Sequence, residues 1–205
     1  MKQKKLLVLE LALAVGLVAA LAWGASAVKT QREISDKVVR LHVVANSDSE
    51  EDQALKYRVR DAVLARTTAL LEASSDRSQA EGLLRGQILE LERIAAEEIA
   101  AAGYDYAVTA ELTTADFPTK EYESFTLPAG NYLALRVVIG EGAGQNWWCV
   151  VFPPLCTAAA AEVPASALAA GFSEDEVRLI TEEDQGYMLK FKTLEWLEAL
   201  KEKLS

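Results

Sequence analysis

One histidine, two cysteines and a cluster of carboxylates are the side chains here whose types could do chemistry: His42, Cys149, Cys156, and Asp48, Glu50, Glu51 and Asp52. A hydrolytic reading pairs a cysteine thiolate with His42 as its base and a carboxylate to orient it. The chain offers no nucleophile elbow, no glycine-rich phosphate loop and no histidine or cysteine spacing of the metal-binding kind. No catalytic residue, no metal ligand and no cofactor is therefore assigned. The plainer role for His42 is a strand histidine hydrogen-bonded at the base of the turn Asn46-Ser47-Asp48-Ser49. The acids could offer oxygens to calcium, but the glycine of a calcium loop is missing. Acids in a helix's first turn also have their own reason, the favourable dipole. An even cysteine count in an exported chain suits one disulfide, Cys149 to Cys156. It closes a short loop, worth about 2–3 kcal/mol.

Two further groups could serve binding. Arg58, Arg60 and Asp61 follow Asp52 and Lys56 along one helix, at a spacing that predicts intrahelical ion pairs; a functional basic stripe is the alternative. The run Trp147-Trp148-Cys149-Val150-Val151-Phe152-Pro153-Pro154-Leu155-Cys156 is the most unusual in the chain. In a strand, Trp147 and Trp148 point to opposite faces. One enters the core; the other lies under a loop or meets a partner, and tryptophan is favoured at interface hot spots.

The elements that must position these residues follow from periodicity. Lys2, Lys4 and Lys5 precede an apolar run from Leu6 to Ala22, broken only by Glu10, and Ala25-Ser26-Ala27 ends it. Charged head, apolar middle and small-residue exit predict a signal peptide over 1–27. An uncleaved anchor is the alternative, since the run is long enough to span. Residues 28–37 read as a polar linker, and 38–205 as one exported globular domain. The whole chain has 21 basic and 31 acidic residues. Without residues 1–27, which hold three lysines and Glu10, 18 basic face 30 acidic residues, a net charge of −12. That excludes nucleic acid, which needs a positive surface to displace counterions, and a basic patch for anionic lipid.

Val38 to Ala45 alternates as a first strand, with Val39, Leu41 and Val43 on one face and Arg40, His42 and Val44 on the other. Ser47 with Glu50, and Asp48 with Glu51, each fit a capping box for a helix reaching about Ala73. A second helix is expected from about Arg77 to Ala102, stopped by Gly103. Tyr104 to Thr114 reads as a strand, and Tyr122 to Phe125 as a short extended piece within a loop. Tyr132 to Gly140 and Asn146 to Phe152 read as strands paired in a hairpin across the glycine-rich turn at 140–144. Residues 157–171 give no clear pattern. Ser173 with Glu176 starts a short helix, and Leu189 to Leu204 is an amphipathic one. Helices and strands are grouped, so the class is α+β, a single domain.

Two blocks carry a family resemblance. One is Arg40-Leu41-His42-Val43-Val44-Ala45-Asn46-Ser47-Asp48-Ser49, continuing through Asp52-Gln53-Ala54-Leu55-Lys56 and Val59-Arg60-Asp61-Ala62-Val63-Leu64. The other is Asn146-Trp147-Trp148-Cys149-Val150 with Phe152-Pro153-Pro154-Leu155-Cys156. Together they resemble stage II sporulation protein R of endospore-forming Firmicutes, over roughly Val38 to Cys156. The resemblance implies a protein made in the forespore and exported into the space between forespore and mother cell. There it would trigger a membrane-embedded aspartic protease of the mother cell, which processes the pro-sigma-E precursor. The family member is the signal, not an enzyme, and needs neither a small-molecule substrate nor nucleic acid. The expected contacts with the protease's extracytoplasmic face are the turn and helix start (His42, Asn46, Ser47, Asp48, Asp52, Arg60, Asp61) and the tryptophan-rich strand (Trp147, Trp148, Phe152, Pro153, Pro154). An exported Cys/His hydrolase and a membrane-anchored structural protein of the envelope are the alternatives.

Overall fold

In the computed structural model, residues 2–157 and 160–181 are described. The chain divides into an N-terminal unit and a body that begins at Ile34. The first helix, α1, runs Lys2–Ser35, and its stretch Leu13–Ser35 is long and apolar enough to cross a bilayer. A signal sequence passes the same test. The segment expected as a linker is thus helical through Ser35. Ile34 and Val38 are fully buried in the core of the body.

The body is mixed α and β, as its grouped elements predict. Its elements are β1 (Val39–Val44), α2 (Glu50–Leu71), α3 (Arg77–Ala101), β2 (Val108–Phe117), β3 (Lys120–Glu121), β4 (Thr126–Leu127), β5 (Gly130–Ile139), β6 (Asn146–Phe152), α4 (Val163–Ala169) and α5 (Glu174–Thr181). Four strands form one sheet in the order β2-β5-β1-β6, with β1 parallel to β5 and antiparallel to β6. The expected β5–β6 hairpin is therefore wrong: β1 lies between its two strands. The reason is burial. Every residue of β1 except His42 is buried, and a strand buried on both faces is best served by an interior position with neighbours on both edges. The loop 140–145 needs to bridge only about 10 Å, two strand spacings, to pass over the end of β1.

One sheet face carries Leu41, Val43, Leu135, Val137 and Cys149, and packs under α2 and α3 through Leu55, Val59, Val63, Leu84, Leu91, Ala95 and Ile99. The other face carries the row Glu111, Arg136, His42 and Trp148, one residue from each strand in register. Beside that row lie Arg40 and Tyr132.

Local signals explain the ends. Asp76 caps α3 by accepting from Gln79 N at 2.9 Å, and Gly103 follows α3 in the left-handed region at φ 87°. The Ser173 and Glu176 box closes reciprocally, at 2.6 and 3.2 Å. The α2 cap differs from expectation: Ser49, not Ser47 or Asp48, accepts from Asp52 N at 3.1 Å. Residues 122–125 form the turn between β3 and β4 rather than a strand, with Tyr122 N donating to Phe125 O at 2.8 Å. The amphipathic helix expected at Leu189 to Leu204 lies outside the described residues.

Candidate functional site

The turn Asn46–Ser49 is a junction rather than a free surface. Asp52 in the first turn of α2 is buried, and its Oδ2 accepts from Asn46 Nδ2 at 2.8 Å and Ser47 Oγ at 2.6 Å. These two hydrogen bonds hold its carboxyl below the ordinary value. Asn46 Oδ1 then accepts from Glu141 N at 2.9 Å, and Asp48 Oδ1 from Gln145 N at 2.8 Å. The loop after β5 is thereby tied to the loop after β1. Two glycines make this approach feasible. A Cβ on Gly140, at φ 56°, would sit 2.1 Å from Asn46 Oδ1, and one on Gly144 would sit 2.2 Å from Ser47 O. Lys56 completes the junction, donating to Gln53 Oε1 at 2.6 Å and Gln145 O at 3.1 Å. Burial lowers its pKa, partly countered by Asp48. Asp52 and Lys56 therefore do not form the predicted ion pair; each turns to a loop instead.

His42 lies on the sheet face away from the helices. Its Nε2 is 2.7 Å from Asn146 Oδ1, not from the turn, and its ring stacks on Trp148 at 6.0 Å between centroids. Burial, with Arg136 and Arg40 nearby, lowers its pKa, and the Asn146 bond opposes this only in part. This environment favours the neutral form of the ring. Cys149 sits on the opposite face and is bonded to Cys156, as the cysteine count suggests. The Cys–His pairing of a hydrolase is not assembled by this arrangement. Cys156 Sγ also accepts from Val150 N at 3.0 Å.

A cleft of about 560 Å³ opens on the helix side, where α2 faces the β3–β4 turn and the end of β6. Arg60, Asp61 and Leu64 line it from α2; Tyr122 and Phe125 from the turn; Trp147, Leu155 and the disulfide from the floor. Arg60 is held in place. Its guanidinium lies 4.5 Å from the Trp147 ring and 4.8 Å from the Tyr57 ring, and its Nε donates to Asp61 Oδ1 at 2.8 Å. This is cation–π geometry, and it adds to the ion pair that Arg60 makes with Asp61 within α2. Trp147 Nε1 is buried and donates to no acceptor. Trp148 lies on the other face under Lys120, whose ammonium is 5.6 Å from its ring. Phe152, Pro153 and Pro154 line a second cleft of about 610 Å³ beside the C-terminal half of α2 and α4. The peptide between Phe152 and Pro153 is cis.

The predicted site residues thus fall into four groups, of which Phe152, Pro153 and Pro154 at the second cleft are one. Arg60, Asp61 and Trp147 meet at the first cleft; Asn46, Ser47, Asp48 and Asp52 form the junction; His42 and Trp148 share the opposite face. The cleft is where the two resembling blocks converge. Sequence reasoning missed Tyr122, Phe125 and Leu155 there, and only the aromatic spacing of Tyr122 and Phe125 hinted at them. Among the described residues no cluster of His, Cys, Asp or Glu could hold a metal ion.

A family model described as stage II sporulation protein R matches residues 35–162. The chain belongs to this family. That places it among sporulation proteins, as the two blocks imply. Stage II sporulation protein R of Bacillus subtilis (strain 168) is 39% identical over 123 residues, covering 60% of this chain and 55% of that protein. The match thus spans little more than half of the relative's length. No solved structure matches.

Proposed function

We propose that the chain is an exported signal of sporulation that switches on a membrane-embedded aspartic protease of the mother cell, leading to processing of pro-sigma-E. The family match over 35–162 carries this reading. The geometry agrees in kind. A pre-formed cleft with a fixed cation, an unpaired indole N–H and an aromatic and aliphatic floor suits recognition of another protein. A ligand activates only by binding the active state more tightly than the inactive one, so no bond need be made or broken by this chain.

In this reading Arg60, Asp61 and Trp147 contact the extracytoplasmic face of the protease, with Phe152, Pro153 and Pro154 extending the surface. His42 and Trp148 offer a second patch. Asn46, Ser47, Asp48 and Asp52 act indirectly, by fixing α2 against β6. The apolar part of α1 directs export from the forespore into the intermembrane space, either removed after Ala27 or kept as an anchor. The test is co-expression of the chain, the protease and the precursor in cells lacking sporulation genes. Precursor cleavage that depends on this chain is the expected result. Cleavage that proceeds equally without it would refute the reading.

A further inference from the structure

Arg40 is the largest fully buried side chain of the body and is 0% exposed. A guanidinium is always charged. Its polar partners are two tyrosine hydroxyls, Tyr122, which accepts from Nη2 at 2.7 Å, and Tyr132. Its Nε and Nη1 are buried with no acceptor. No carboxylate among the described residues pairs with it. The guanidinium rests on the faces of Phe117 and Tyr132, 4.2 and 5.0 Å from the ring centroids. Aromatic faces compensate a cation only in part, and a buried charge without a counter-charge is among the least favourable placements in a fold.

Tyr122, which contacts Arg40, belongs to a flap, residues 118–129. Its two short strands, β3 and β4, pair only with each other and share no ladder with the main sheet. Leu127 and Phe125 anchor it in the core and Pro128 O accepts from Tyr132 Oη at 2.6 Å, while Tyr122 links its turn to the sheet, accepting from Arg40 and donating to Trp148 O at 3.2 Å. The same flap forms one wall of the cleft that holds Arg60 and Trp147. A chain seated in that cleft therefore pushes on the segment that contacts Arg40.

We propose that Arg40 is a carboxylate-binding site, closed by the 118–129 flap in the free protein and filled by an acidic side chain of the partner protein when that partner enters the cleft. The inference rests on the functional reading above, because the carboxylate comes from the protein being activated. The bond completes the pairing that the isolated fold leaves open, and so couples docking to the flap. A charge-assisted fork of this kind is directional as well as strong.

The experiment places Arg40→Met and Arg40→Lys in the full chain within the co-expression system, and measures thermal unfolding of the same exported proteins. Arg40→Met keeps the apolar stem and removes an unpaired charge. It is expected to unfold at or above the wild-type temperature, while activation weakens on the order of 30-fold or more. Arg40→Lys, which keeps the charge, is expected to retain part of the activity. A lowered unfolding temperature, with cleavage lost only in proportion to unfolded protein, would assign Arg40 to packing on Phe117 and Tyr132 and overturn the proposal. Full activity of a stable Arg40→Met chain would overturn it too. If Arg40→Met is not exported, Tyr122→Phe decides. Loosening the flap should lower the amount of chain needed for half-maximal cleavage, and an unchanged or higher requirement rejects the coupling. Wild-type chain that supports no cleavage is a different outcome: it removes the functional reading itself and the inference with it.

Discussion

Asp52 is the residue on which the loop architecture turns. Its carboxylate accepts from Asn46 and Ser47, and its backbone N–H caps onto Ser49. Asp52→Ala would leave those half-buried donors without their acceptor, a loss of about 1–2 kcal/mol; chemical denaturation measures it as a shift in midpoint at unchanged slope. The pH dependence has a fixed sign. The folded pKa of Asp52 is depressed below its value of 3.8 in the open chain. Its contribution is therefore complete above that value and is lost as pH falls through the lower, folded pKa. Wild type minus Asp52→Asn stability should accordingly shrink on acidification below about pH 4; a difference that grows there would refute the hydrogen-bond account. The sequence shows an acid at the start of a helix and the reason acids sit there. It does not show that the acid turns inward, because its partners come from a turn that only the fold brings over it. The disulfide was more legible, since two cysteines leave one pairing. Replacing both Cys149 and Cys156 by Ser should cost about 2–3 kcal/mol, read by thermal unfolding under non-reducing conditions.

At the scale of elements, β1 organises the body because it is buried on both faces and holds the centre of the sheet. Its alternation was visible in Val39, Leu41 and Val43, and so were α2, α3 and β6 in their own periodicities. Which strands pair was not. The glycine-rich segment at 140–144 reads as a hairpin turn, the commonest use of such a sequence. Here the glycines serve close approach to Asn46 and Ser47 instead. Gly144→Ala tests this directly, because the added Cβ would meet the backbone carbonyl of Ser47 at 2.2 Å, which a side-chain rotation cannot relieve. A loss of about 2–4 kcal/mol is expected. A hairpin turn free of β1 would tolerate the same change within about 0.5 kcal/mol. The α2 cap is a smaller effect: Ser49→Ala should cost about 1 kcal/mol, while Ser47→Ala acts through Asp52 rather than through the cap.

At the scale of the whole molecule, α1 holds the apolar stretch that fits a signal sequence or a membrane anchor, and the body holds both family blocks. The family blocks converge on one cleft because the first supplies α2 and the second supplies β6 and the loop after it. Arg60, Asp61 and Trp147 were legible as candidates from residue type alone. The wall that completes the cleft, Tyr122 to Phe125, belongs to a segment with little periodic signal, so its place could only come from the fold. The surface that would touch the protease is thus assembled from three separated stretches of chain. The central claim is that this chain works by docking through the cleft. Binding of the exported chain to membrane vesicles bearing the protease tests it most directly, with vesicles lacking the protease as reference. Saturable binding by the wild type, weakened on the order of 30-fold in a folded Trp147→Ala variant, is the result predicted here. Equal binding by that folded variant, or no preference of the wild type for protease-bearing vesicles, would contradict it.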